Sequence, residues 1–105
     1  MAPLHFFVRI VPMLQMTLLI KGKVQRVGFR YSVVEYVISS KLPIVGHVRN
    51  MADGSVEVIA QGDIEAIKEL HRFCTKGPPM AEVREVSEEI VQITKLNFSE
   101  FSVSG

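Results

Sequence analysis

The sequence predicts one α+β domain in which an antiparallel sheet carries two helices on one face, in the order β-α-β-β-α-β. Three observations predict it: several stretches alternate apolar and polar residues, two stretches repeat apolar residues at helical spacing, and an Asp-Gly pair sits between two of the alternating stretches. A chain of 105 residues suits a single domain.

The elements follow in chain order. Over residues 16–24, Met16, Leu18 and Ile20 fall on one face, and Thr17, Lys21 and Lys23 fall mostly on the other, which is the period of a half-buried strand. Gly22 inside that strand marks a bend or a close backbone approach. Residues 29–41 read as a helix with Val33, Val34, Val37 and Ile38 as its apolar stripe, closed by Leu42-Pro43. So many β-branched residues lower helix propensity, so packing has to hold this segment. Residues 45–50 and 55–62 read as strands, joined by Met51-Ala52-Asp53-Gly54, where Asp-Gly predicts a hairpin with positive φ at the glycine. Asp63 is an N-cap candidate for a second helix over residues 64–76, with Ile64, Ile67, Leu70, His71 and Cys74 on one face and Gly77-Pro78-Pro79 as its stop. Residues 82–91 and 96–103 complete the set as strands, the last carrying Phe98, Phe101 and Val103. This order is the split βαβ, or ferredoxin-like, pattern. The pattern hosts many functions and decides none.

Composition narrows the classes. Hydrophobic residues make up 48% of the chain and charged residues 22%, a globular rather than disordered balance. A net charge of +1 is far from that of a nucleic-acid-binding surface. The single cysteine, Cys74, excludes an internal disulfide, and no Cys/His spacing fits zinc. Residues 1–15 are apolar, with Phe6, Phe7, Val8, Ile10 and Val11, but Arg9 and Pro12 break the run, and it is too short to span a membrane. It lacks the basic start and cleavage pattern of a signal peptide. It is expected to be a loose extension or an added edge strand, with residues 16–105 forming the domain and Met16 an alternative start. A cytoplasmic monomer with no membrane or nucleic-acid partner is expected. Charge is uneven along the chain, since Arg9, Lys21, Lys23, Arg26 and Arg30 all precede the first acid, Glu35. These bases either draw an anion or face water and pair with later acids.

The segment most able to do chemistry is Gly22-Lys23-Val24-Gln25-Arg26-Val27-Gly28-Phe29-Arg30, which carries the first strand into the first helix. A loop entering a helix presents unpaired N–H groups, and with the helix dipole these make an anion site. Arg30 falls at the first turn, where the dipole disfavours a cation. Its planar fork matches phosphate oxygens, and the alternative is an exposed arginine paired with a carboxylate such as Glu35. Asn50 ends a strand beside the turn; it either caps its own backbone there or serves a ligand.

Taken together, two motifs carry a resemblance. Gly22-x-Val24-Gln25-x-Val27-x-Phe29-Arg30 resembles the first signature of the acylphosphatase family, and Gly46-x-Val48-Arg49-Asn50-x-x-x-Gly54-x-Val56, with Gly62 beyond, resembles the second. The likeness extends through Lys76-Gly77-Pro78-Pro79 and the Phe98/Phe101 pattern, over roughly residues 16–103. It implies a hydrolase that cuts the carboxyl-phosphate anhydride of acyl phosphates, with phosphate as product and phosphate or sulfate as mimic. It implies that backbone N–H groups of Gln25, Arg26, Val27, Gly28 and Phe29 cradle the phosphate, that Arg30 binds it, and that Asn50 positions the attacking water. It implies neither a metal nor another cofactor.

Departures from the family pattern are informative. Arg26 stands where the family has glycine; it either obstructs the phosphate or points outward and adds positive field, and Arg26→Gly is expected to raise or preserve activity. The competing function is therefore a catalytically weak module of the same family that binds phosphate-bearing ligands. His47 replaces an aromatic residue and is expected to act in packing. His5 and His71 are expected to be structural, without arranged partners, and Cys74 to be a buried thiol. Glu82, Glu85, Glu88 and Glu89 are expected to form a solvated strand face. An RNA-binding domain of this topology would carry stacking aromatics on its central strands, and residues 16–24 and 55–62 carry none.

Overall fold

The computed structural model describes residues 11–104. The elements run β1 (Leu14–Lys23), α1 (Phe29–Ser39), β2 (Val45–Asn50), β3 (Val56–Gly62), α2 (Ile64–Lys76), β4 (Glu82–Gln92) and β5 (Phe101–Val103). The sheet order is β4-β1-β3-β2-β5. Sequence-adjacent strands are therefore not always neighbours, as the split βαβ pattern requires. β1 pairs antiparallel with both β3 and β4, and β2 antiparallel with β3. β5 adds to β2 in parallel, so the expected antiparallel sheet is mixed at this one edge.

One face of the sheet and both helices make the core. The register sets Leu18 opposite Val58 and Val58 opposite Val48, a continuous buried row across three strands. Phe29, Val33 and Val37 from α1 and Ala66, Ile67, Leu70 and Cys74 from α2 close over it. α1 lies against β2 and β5, and α2 against β1, β3 and β4. Burying a side chain such as Leu70, with no exposed surface, is worth about 1.5–3 kcal/mol. Ile38, expected in the apolar stripe of α1, is instead 67% exposed, because the helix turns Phe29, Val33 and Val37 inward.

Glycine sets one strand contact that the sequence anticipated. At Gly22 (φ 135) a Cβ would sit 2.1 Å from Glu82 O, and the β1–β4 register shifts between Lys21 and Gly22. The strand can bulge there only without a side chain.

Several boundaries differ from expectation. β1 begins at Leu14, inside the segment assigned to the extension, because Leu14 and Gln15 pair with both Gly62/Gln61 and Gln92/Val91. The expectation for residues 1–10, His5 included, lies outside the described residues. α1 stops at Ser39 rather than at residue 41: Lys41 takes a left-handed φ of 53 and the Leu42 N–H turns back to Val37 O at 3.0 Å. The expected strand over residues 96–103 shrinks to Phe101–Val103. Ahead of it the chain bonds to side chains instead of a strand. Asn97 N–H donates to Gln61 Oε1 at 2.8 Å, and Gln61 Nε2 donates to Asn97 Oδ1 at 2.9 Å and to Gln15 Oε1 at 2.7 Å. Gln61, 1% exposed, is thereby satisfied within the fold.

Candidate active site

Between β1 and α1 the chain is pinned at both ends. Val24 and Phe29 are buried, while Arg26 and Gly28 between them face solvent. Both exposed residues are left-handed, Arg26 at φ 62 and Gly28 at φ 75. Glycine adopts this backbone freely; an arginine there costs roughly 1–2 kcal/mol. Arg26 thus carries a left-handed backbone that an arginine adopts at a cost, and the residue is exposed. At Gly28 an added Cβ would meet nothing within 4 Å, so φ and not space calls for glycine.

The start of α1 has neither of the usual stabilisers. Gly28 is its N-cap, no side chain among the described residues caps it, and its first turn holds no acid. The first intrahelical bond of this turn runs from Ser32 N–H to Gly28 O at 3.0 Å. The N–H groups before it point out of the helix end with the positive end of the dipole behind them. Arg30 lies in this same turn, its guanidinium 5.8 Å from the Tyr31 ring centroid. The result is a concentration of donors and positive charge suited to an anion.

Asn50 arrives from another element. It is the last residue of β2, opposite Val56 of β3, which is in turn opposite Ile20 near the end of β1. The end of β2 is therefore level with the end of β1 that feeds the loop. Asn50 Oδ1 is buried and, among the described residues, has no hydrogen-bond partner. The turn beside it is held by other groups, so the backbone-capping alternative for this oxygen falls. Asp53 Oδ1 accepts from Ser55 N–H at 3.0 Å and from the Ser55 hydroxyl at 2.5 Å. Gly54 (φ 94) completes the expected hairpin with N–H donation to Met51 O at 3.1 Å. The Ser55 hydroxyl and N–H, with Lys21 nearby, hold the Asp53 carboxyl below its ordinary value.

Loop and hairpin are joined by a side chain whose role sequence reasoning missed. Gln25 Nε2 donates to Met51 O at 2.8 Å and to Ser55 O at 2.9 Å. A long amide at the mouth of the loop was the available signal, but its acceptors lie 26 and 30 residues away. Gln25, Arg26, Val27, Gly28, Phe29 and Arg30 thus stay contiguous, and Asn50 reaches the same end of the sheet.

Other groups singled out in the sequence stand elsewhere. His47 packs edge-on against Phe98, centroids 5.3 Å apart, and its Nε2 is 3.5 Å from Glu57 Oε1. His71, expected without a partner, pairs through Nε2 with Glu88 Oε2 at 2.8 Å, while Glu88 stays exposed to solvent with Glu82, Glu85 and Glu89. Burial pushes the Cys74 thiol up to about 12, which makes it a poor nucleophile. A concavity of about 950 Å³ opens between α1 and α2 over the stacked Tyr36 and Phe73 rings. None of residues 25–30 lines it, so its size does not make it the anion site. No helix among the described residues is long and apolar enough to cross a membrane.

Comparison with known proteins converges on one family. The acylphosphatase family model matches residues 16–103. The chain is 51% identical over 69 residues to an acylphosphatase of Caldanaerobacter subterraneus subsp. tengcongensis, covering 66% of this chain and 74% of that one. It is 38% identical over 91 residues to an acylphosphatase of Pasteurella multocida, covering 87% and 98%. Its fold superposes on the crystal structure of acylphosphatase from Bacillus subtilis with a TM-score of 0.79 and 30% identity, over 88% of this chain and 99% of that one. With motif order, fold and relatives in agreement, the chain belongs to the acylphosphatase family and is an enzyme of that class.

Proposed function

We propose that this enzyme hydrolyses acyl phosphates by seating the phosphoryl group on the N–H groups of residues 25–29, clamping it with Arg30 and aiming a water with Asn50. The observation that carries the reading is the start of α1: no capping side chain, no acid, and an arginine in its first turn. The buried Oδ1 of Asn50, unpartnered among the described residues, supports the second half, since an acceptor of this kind lacks a donor and the O–H of a water supplies one.

The chemistry asks little more. Water attacks phosphorus, the P–O bond to the acyl oxygen breaks, and the electron pair leaves with the carboxylate, a good leaving group. Catalysis is then mainly neutralisation of phosphoryl charge and orientation of the nucleophile. The water proton passes to a phosphate oxygen of the substrate, so no protein base is required. Rate should accordingly show no ionisation assignable to a protein histidine; a sharp histidine-like inflection in kcat would contradict this step.

The test is turnover of benzoyl phosphate by the wild type, Arg30→Ala and Asn50→Ala. Arg30→Ala loses phosphate affinity and rate together, and Asn50→Ala loses rate with phosphate affinity kept. The second reading, a phosphate-binding module of weak activity, rests on the strained Arg26 at φ 62. Saturable phosphate binding by the wild type without benzoate release would establish that reading instead.

A further inference from the structure

We propose that the Gln25 side chain is a positioning residue: it sets the phosphate loop against the β2–β3 hairpin and so places Asn50, touching neither phosphate nor water itself. The proposal rests on the water-orienting reading of Asn50. Both Nε2 hydrogens of Gln25 are committed, to Met51 O at 2.8 Å and Ser55 O at 2.9 Å, leaving none for a ligand. Those two carbonyls also close the hairpin from within: Met51 O accepts from Gly54 N–H at 3.1 Å, and Ser55 O accepts from Met51 N–H at 2.8 Å. Gln25 therefore binds the hairpin at the two points that fix its shape, and one of them is the residue next to Asn50.

The buried Asn50 Oδ1 makes that shape matter. It has no partner of its own among the described residues to hold its direction. Its aim is set by the backbone on which it stands, and that backbone is registered to the loop by Gln25. Two donors from one amide fix both distance and rotation, as a single bond would not. Misplacing a reacting group by about 1 Å can cost about a hundredfold in rate.

The experiment is a double-mutant cycle on the full chain, with benzoyl phosphate as substrate and inorganic phosphate as competitive inhibitor. Gln25→Met keeps the length of the side chain and removes both donors. It is expected to lower kcat roughly 10- to 100-fold. The phosphate inhibition constant is expected to move by less than about threefold. In an Asn50→Ala background, Gln25→Met should cost less than about threefold more, because its effect runs through the asparagine already removed. Gln25→Glu, also near-isosteric, is carried through the same cycle so that misfolding of one variant does not end the test. Equal losses in the two backgrounds, or a loss of phosphate affinity matching the loss in kcat, would overturn the proposal. Wild-type turnover by Asn50→Ala alone would instead overturn the parent reading, and this inference with it.

Discussion

The two helices of this protein cover the same face of one sheet, and their starts could hardly be more different. α2 opens with Asp63, whose Oδ1 accepts from Ala66 N–H at 2.9 Å, and holds Glu65 in its first turn. Its exposed donors meet a side chain and its dipole meets an acid, which is the arrangement that stabilises a helix. α1 opens with left-handed Gly28, with no capping side chain and no acid, and places Arg30 where a cation is unfavourable. The chain thus satisfies one helix start with its own side chains and, among the described residues, leaves the other without such a cap, the place proposed for the phosphate. Local stability given up at a structured place invites a functional explanation.

That contrast makes perturbation of α1 read in catalysis and perturbation of α2 read in stability. The largest effect is expected at Arg30→Ala, with kcat/KM falling about 10²–10³-fold, by analogy with loss of one charge-stabilising donor. Thermal melting should show its fold intact. On α2 the buried Cys74 gives a pH signature. Its folded value, about 12, lies above the ordinary 9.0. Its contribution is therefore fully present below pH 9 and lost as pH rises toward 12, where the unfolded chain releases a proton that the folded chain keeps. Denaturant melts should show this thiol lowering stability by up to about 1.4 kcal/mol per pH unit in that window. The native thiol should also resist labelling by a disulfide reagent at neutral pH. Removing the α2 cap by Asp63→Ala should cost about 1 kcal/mol of stability while kcat stays at the wild-type value. The smallest effect is expected at Arg26→Gly. It relieves about 1 kcal/mol of left-handed strain, part of which the added backbone freedom of glycine offsets. Turnover should rise by up to a few-fold; a large loss would mean that the guanidinium has been drawn into binding.

What could be read from the sequence follows the range of the interaction involved. The Asp63 cap, the Gly77 stop and the Asp53-Gly54 hairpin were legible because each acts within a few residues. The loop entering α1 was legible for the same reason, and the motif resemblance added Asn50 to it. The partners of Gln25, of Gln61 and of His71 were not legible. Each crosses between elements, over 26 to 46 residues for the two glutamines, and depends on how strands are ordered rather than on what they contain. β5 shows the same limit: alternation around Phe98 and Phe101 reads as one strand, yet Asn97 bonds to Gln61 and Phe98 turns onto His47, so only three residues pair.

The central claim is that an anion completes the start of α1. Inorganic phosphate titrated into ¹⁵N-labelled protein tests it most directly. Saturable shifts should concentrate on the backbone amides of Val27, Gly28, Phe29 and Arg30, with the first turn of α2 at Glu65 and Ala66 unmoved. Shifts of similar size at both helix starts, or a silent loop at saturating phosphate, would contradict it.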